Sequence, residues 1–144
     1  MSTAVAGEPE VWDSKWKAIG TGSNAKIFTR GRPRTPHEFN HLCYYHDLSI
    51  ATLLTGSAPK FCEFGAGRGT TAQYLTRDGI DVTMVDLSKA GFDIAHSNFA
   101  TEGMLAPTCV LADVTRTPFD DATFHCVYSI GLLEHFDDPQ DVLR

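Results

Sequence analysis

The sequence predicts an α/β fold, a doubly wound parallel sheet with helices on both faces and further helices ahead of it. Three features carry the prediction. Short apolar runs at 60–64 (KFCEF), 81–86 (DVTMVD) and 107–113 (PTCVLAD) alternate with helical patterns at 70–78 and 88–103. Strands separated by a helix pair in parallel, because the connection has to cross over the sheet. A glycine-rich turn, GAGRG, joins the first run to the first helix, and Asp86 and Asp113 close the second and third runs. Those are the strand ends that face a ligand crevice in such a sheet.

A chain of 144 residues suits one domain that buries roughly two-thirds of its unfolded surface. With 42% hydrophobic and 21% charged residues, it has a globular composition. No apolar run approaches the roughly 20 residues that span a bilayer. The opening MSTAVAGEPEVWDSKW lacks the basic start and apolar centre of a signal peptide. The expectation is a cytoplasmic chain without an integral membrane segment. Net charge is −6 but uneven: residues 1–36 hold six Lys/Arg against three Asp/Glu, residues 37–144 six against fifteen. An acidic body behind a basic arm makes a nucleic-acid partner the weaker expectation. Cys43, Cys62, Cys109 and Cys126 form no C-x-x-C pair and read as reduced core residues.

Residues 1–34 read as an N-terminal arm, and 35–144 as the ligand-binding domain. Within the arm, PEVWDSKWK (9–17) predicts a short helix with Trp12 and Trp16 on one face as a packing pair, followed by a Gly- and Arg-rich connector at 18–34. The next helix opens at Thr35-Pro36-His37-Glu38, a capping box with proline at N1. It contains HEFNH (37–41), which matches the H-E-x-x-H of zinc peptidases. Here the match reads as coincidence, because Glu38 already has a capping role and Tyr44 stands where the longer zinc motif wants glycine. Phe39, Leu42, Cys43, His46, Ile50, Leu53 and Leu54 define an apolar face, and His37 and His41 lie about 160–200° from Phe39. No metal site is expected.

The remaining elements follow in order. KFCEF is a buried strand, TTAQYLTRD (70–78) a helix, and DVTMVD a second strand. SKAGFDIAHSNFATEG (88–103) is a helix capped by Ser88 and stopped by Gly103. PTCVLAD and ATFHCVYSI (122–130) are the third and fourth strands, and Asp138-Pro139 supplies N-cap and N1 of a last helix.

The turn after the first strand reads E63-F-G-A-G-R-G-T70. Its glycines bring backbone N–H groups and a helix N-terminus close to a ligand. A dinucleotide G-x-G-x-x-G would need glycine at Thr70, and a phosphate loop would need G-K-[ST], which is absent. The stretch resembles instead the E/D-x-G-x-G-x-G motif of class I S-adenosylmethionine-dependent methyltransferases. Asp86 in VTMVDLS, Asp113 in VLADVTRTPF and the segment SIGLLEHFDDP fall in that family's order and spacing, so the resemblance covers 60–144.

The resemblance implies a Rossmann-like sheet of order 3-2-1-4 and S-adenosylmethionine as cofactor. It gives Asp86 the ribose hydroxyls, Asp113 the adenine amino group with the Val114 N–H near a ring nitrogen, and Leu87 the adenine face. Glu63 would hold the ammonium of the methionine moiety, beside the backbone of Gly65 and Gly67, with Gly69 completing the turn and Ser129 closing the cofactor set. Methyl transfer needs positioning and water exclusion more than side-chain chemistry. Candidates for touching the acceptor are Ser129, Glu134, His135, Tyr44 and Tyr45, with His135 and Tyr44 as the catalytic candidates.

The segment SIGL lacks the N/D-P-P-Y/F or P-C stretches of base methyltransferases, so the resemblance implies a small-molecule acceptor, quinone-like or lipid-like. One alternative is a nucleic-acid-binding or RNA/DNA methyltransferase that uses R30-G-R-P33, the core of a minor-groove hook. The other is an inactive fragment that only binds the cofactor. The family's sheet has seven strands, so strands five to seven are expected to be missing from residues 1–144, leaving an exposed edge at FHCVYSI.

Overall fold

The computed structural model describes residues 8–20, 36–56 and 58–143. The R30-G-R-P33 stretch, the Thr35 cap and the side chains of His37, Glu38 and Leu54 lie outside the described residues. The elements are α1 (Pro9–Ile19), α2 (Pro36–Thr55), β1 (Lys60–Phe64), α3 (Thr70–Arg77), β2 (Asp81–Asp86), α4 (Lys89–Thr101), β3 (Thr108–Leu111) and β4 (Cys126–Ser129). Two 3-10 turns follow, Leu133–His135 and Pro139–Val142.

All four strands are parallel, in the order β3-β2-β1-β4. Phe64 stands opposite Val85 on one side and Ser129 on the other. The chain winds outward from β1 to β3, then returns to place β4 on the far side of β1. That reversal opens a crevice beyond the strand ends of β1 and β4.

Alternation along the strands sorts the core into two layers. Phe61, Val82 and Met84 pack with Ala72 and Leu75 of α3 and Phe92, Ala95 and Phe99 of α4. Cys62 and Val85 face the other way, where Val114, Phe119, Phe124, Leu132 and Phe136 cover them. β1 and β2 have the bounds that the sequence predicts. β3 is shorter because the chain turns at Asp113, and β4 because the segment before it is a turn, with Ala122 at φ 58° and Thr123 bonded to Asp120 O at 2.6 Å. β3 and β4 are the sheet edges, and Val127 is exposed.

Several expectations are corrected. The predicted apolar face of α2 is its outer one, with Phe39, Ile50 and Leu53 at 55%, 60% and 81% exposure. The helix packs inward through Tyr45, Leu48 and Ala51, and the Tyr45 ring stacks on Tyr74 at 5.3 Å while its hydroxyl donates to Asp78. Apolar residues lie nearly all round α2, so two faces compete. The buried one also gives Tyr45 a hydrogen-bond acceptor. His41 therefore turns inward, contrary to the stripe argument. Cys43 is exposed, not a core residue, although all four cysteines are free thiols and Cys62 is buried. Asp138 caps its turn by accepting from Gln140 N at 2.9 Å, but the element is a 3-10 turn, not an α-helix. No described helix is long and apolar enough to cross a membrane.

Candidate active site

The site grows from the turn between β1 and α3. Gly65, Gly67 and Gly69 have φ of 67°, 51° and 67°, values that side-chain-bearing residues rarely adopt. All three are also sterically fixed, Gly69 by Met84 Sδ at 2.6 Å from an added Cβ. A Cβ on Gly65 would lie 2.8 Å from Leu132 Cδ1, and one on Gly67 would lie 2.2 Å from Trp16 Cζ2. The turn is thus clamped between α1 and the segment after β4.

Two carboxylates hold the turn and the helix after it, and a third follows β3. Glu63 is 3% exposed, and its Oε2 accepts from Ala72 N at 3.2 Å and from the Tyr128 hydroxyl at 3.1 Å. Burial pushes its carboxyl up to about 8, against the pull of those two bonds and with a small further push from Asp86. Burial also raises the Asp86 carboxyl. Its Oδ1 accepts from Ser88 N and its Oδ2 from Gly67 N, both at 2.7 Å. Asp113 Oδ1 accepts from Thr115 N and Oγ1 at 2.9 and 2.8 Å, which shapes the turn after β3.

A cavity of about 330 Å³ joins them, within the usual range for small-molecule sites. Of the residues predicted to touch a cofactor, Glu63, Gly65, Asp86, Leu87, Asp113 and Val114 line it, and so does the acceptor candidate His135. Gly67 and Gly69 lie in the turn behind the lining, Ser129 ends β4 without reaching the cavity, and Tyr44 sits on the outer side of α2 with 42% exposure. Tyr45 is spent on α3, and Glu134 is exposed.

Trp12, Trp16 and Ile19 of α1 form a further wall of the cavity, so the tryptophan pair does more than pack. α1 is held by Asp13, whose Oδ1 accepts from Ala90 N at 3.0 Å and from the Ser88 hydroxyl. Those bonds, Ser88 first, keep the Asp13 carboxyl below its usual range. Ser88 Oγ in turn accepts from Gly91 N at 3.2 Å, capping α4. The Trp12 ring meets His135 edge-on at 4.8 Å. His41 also reaches the lining, with Nδ1 2.8 Å from Thr71 Oγ1. Helical spacing of Tyr45, Leu48 and His41 was the signal for its inward position. Nothing local marks the Trp12 contact, which spans 123 residues of sequence.

A sequence profile of the family described as "Methyltransferase domain" matches residues 62–144, more than half of the chain. The chain belongs to the class I S-adenosylmethionine-dependent methyltransferases. The chain is 36% identical over 69 residues to "Uncharacterized methyltransferase YodH" of Bacillus subtilis (strain 168), a stretch that is 48% of this chain and 29% of that relative. Among solved structures it is similar to magnesium protoporphyrin IX methyltransferase (ChlM) from Synechocystis PCC 6803 with bound SAM, with TM-score 0.69 and 15% identity over 99% of this chain and 71% of that one. It is also similar to YcgJ of Bacillus subtilis, with TM-score 0.59 and 22% identity over 70% and 43% of the two chains. The [4+2]-cyclase SpnF shares the fold too, with TM-score 0.69 and 18% identity over 94% and 52%. At those identities the likeness is one of fold, and the fold carries more than one chemistry. The chain spans less than half the length of YodH and YcgJ.

Proposed function

We propose that the chain binds S-adenosylmethionine in this cavity and transfers its methyl group to a small molecule. The observation that carries the reading is the convergence of Glu63, Asp86 and Asp113, from three separate strand ends, on one cavity beside the glycine turn. The chemistry of the donors fits the cofactor. Glu63 is a buried carboxyl without a cation beside it in the sheet, and an ammonium group supplies one. Asp86 Oδ2 accepts from Gly67 N–H and Oδ1 from Ser88 N–H, and a carboxylate has lone-pair capacity beyond these for ribose hydroxyls. Asp113 keeps its second oxygen for the adenine amino group, with Leu87 and Val114 as apolar contacts.

The sulfonium of the bound cofactor supplies an electrophilic methyl group. The protein's share is placement. Glu63 and the turn fix the methionine end, Asp86 fixes the ribose, and α1 with Leu132 and Phe136 keeps water from the methyl side. A nucleic-acid acceptor rests only on R30-G-R-P33 and is the weaker reading.

The test is a thermal melt of the chain with S-adenosylhomocysteine, with NAD as the comparison ligand. Saturation at a hundredfold excess over Kd stabilises by about 2.7 kcal/mol. The shift is expected with the adenosyl compound alone and is expected to vanish in Asp86→Ala. A cooperative melt indifferent to the compound refutes the reading. Binding without methyl transfer to any acceptor favours a chain that only holds the cofactor.

A further inference from the structure

The cavity has two chemically distinct walls. Glu63, Asp86 and Asp113 belong to the sheet side. The facing wall runs from α1 to the first 3-10 turn and consists of Trp12, Ile19, Leu132 and Phe136, with His135 among them. Glu134, next to His135 in sequence, is exposed and outside the lining, and Asp13 of α1 is turned onto α4. The titratable side chain in ring contact with Trp12 is therefore the His135 imidazole, while His41 and Arg68 also line the cavity.

We propose that this wall is the acceptor subsite and that it takes a flat, uncharged aromatic or conjugated molecule with a weakly acidic hydroxyl, a phenol or enol, whose proton passes to His135. The proposal rests on the cofactor reading above. An indole and a phenyl ring offer flat, polarisable faces, which favour another ring over a flexible chain. A cationic amine would need a carboxylate, and the three in the cavity are committed to the cofactor in that reading. A phenol or enol hydroxyl is far more acidic than an aliphatic alcohol, and its proton lies within easier reach of an imidazole base near neutral pH.

The step balances without a further reagent. The acceptor oxygen forms its bond to the methyl carbon while the carbon–sulfur bond breaks, and that bond's electron pair stays on sulfur. The hydroxyl proton moves to an imidazole nitrogen of His135 and then to solvent. The products are a methyl ether and S-adenosylhomocysteine.

The experiment uses 4-nitrophenol as probe, titrated into the full chain saturated with S-adenosylhomocysteine. At about pH 6.5 the free phenol is mostly protonated and colourless, its phenolate is yellow, and an ordinary imidazole is about half in the neutral form that accepts a proton. Binding is expected to bring up the phenolate absorption. Trp12→Leu is expected to weaken binding about fivefold. His135→Gln is expected to keep binding within about twofold, because the ring wall remains, while losing the bound phenolate colour. An equal phenolate signal in His135→Gln overturns the proposal, as does unweakened binding in Trp12→Leu or no binding of 4-nitrophenol. Tighter binding of 1-naphthylmethylammonium or 1-naphthoate than of 4-nitrophenol also overturns it. Calorimetric binding of S-adenosylhomocysteine alone separates the two layers: its absence sinks the cofactor reading, its presence with any overturning result sinks only the acceptor proposal.

Discussion

Replacing Glu63 with glutamine removes a titration that burial has displaced, and the effect on stability has a definite sign. The carboxyl rises from 4.5 to about 8 on folding, so the native state holds a proton that the unfolded state releases. Stability is complete below about pH 4.5, falls as pH rises, and is fully reduced once pH passes about 8. At 1.36 kcal/mol per pH unit, the loss by pH 7 is about 3 kcal/mol and at the limit about 5 kcal/mol. Glutamine keeps an oxygen for Ala72 N–H and the Tyr128 hydroxyl, and it does not titrate. The stability difference between Glu63→Gln and the parent, from urea unfolding at about pH 5 and pH 8, is expected to move in favour of the variant by about 3–4 kcal/mol over that interval. A difference independent of pH refutes the displaced titration. With the ammonium of S-adenosylhomocysteine beside it the carboxyl should ionise, so binding near pH 7 is expected to release close to one proton, measured by calorimetry in buffers of different ionisation enthalpy.

Gln73 on α3 is 2% exposed, and neither end of its amide has a hydrogen-bond partner among the described residues. Gln73→Met is expected to raise the urea midpoint, by about 1–2 kcal/mol in stability, and a lower midpoint would show that the amide is satisfied in solution. Gly67→Ala sets a Cβ against Trp16 at a φ of 51°. Affinity for S-adenosylhomocysteine is expected to fall about tenfold or more, and adding Trp16→Leu to restore part of it; no rescue means that backbone strain dominates. Asp13→Ala removes the bonds to Ser88 and Ala90, so acrylamide quenching of the two tryptophans, both on α1, is expected to increase. In the parent the lowered Asp13 carboxyl keeps this contact intact above its ordinary value of 3.8 and loses it only as pH falls further. Quenching that already rises near pH 5 contradicts that attachment.

The sheet and its ligand turn were legible because their determinants are local. KFCEF and DVTMVD are uninterrupted apolar runs between clear breakers, and Ser88 sits three residues before the N–H that it caps. Glycine at 65, 67 and 69 announces backbone angles that few other residues adopt. The weak edge strands were overextended because Ala122 and Thr123 look strand-forming but serve a turn. α2 failed for a different reason: the side that a helix buries depends on its neighbour. The neighbour here is α3, which offers Tyr74 and Asp78 to Tyr45. The far wall of the cavity was the least legible part. Trp12 and His135 meet only because the sheet brings the two ends of the described chain together.

Ser88 gives its backbone N–H to Asp86 and its hydroxyl to Asp13. A single residue therefore joins the floor of the cavity to its removable wall through chemically separable groups. For an engineer this is a built-in division of labour. With Trp16 kept over Gly67, the Trp12 and Ile19 positions of α1 can be randomised to search for new acceptors while the backbone half of Ser88 goes on organising Asp86, so selectivity can be varied with little cost to cofactor retention.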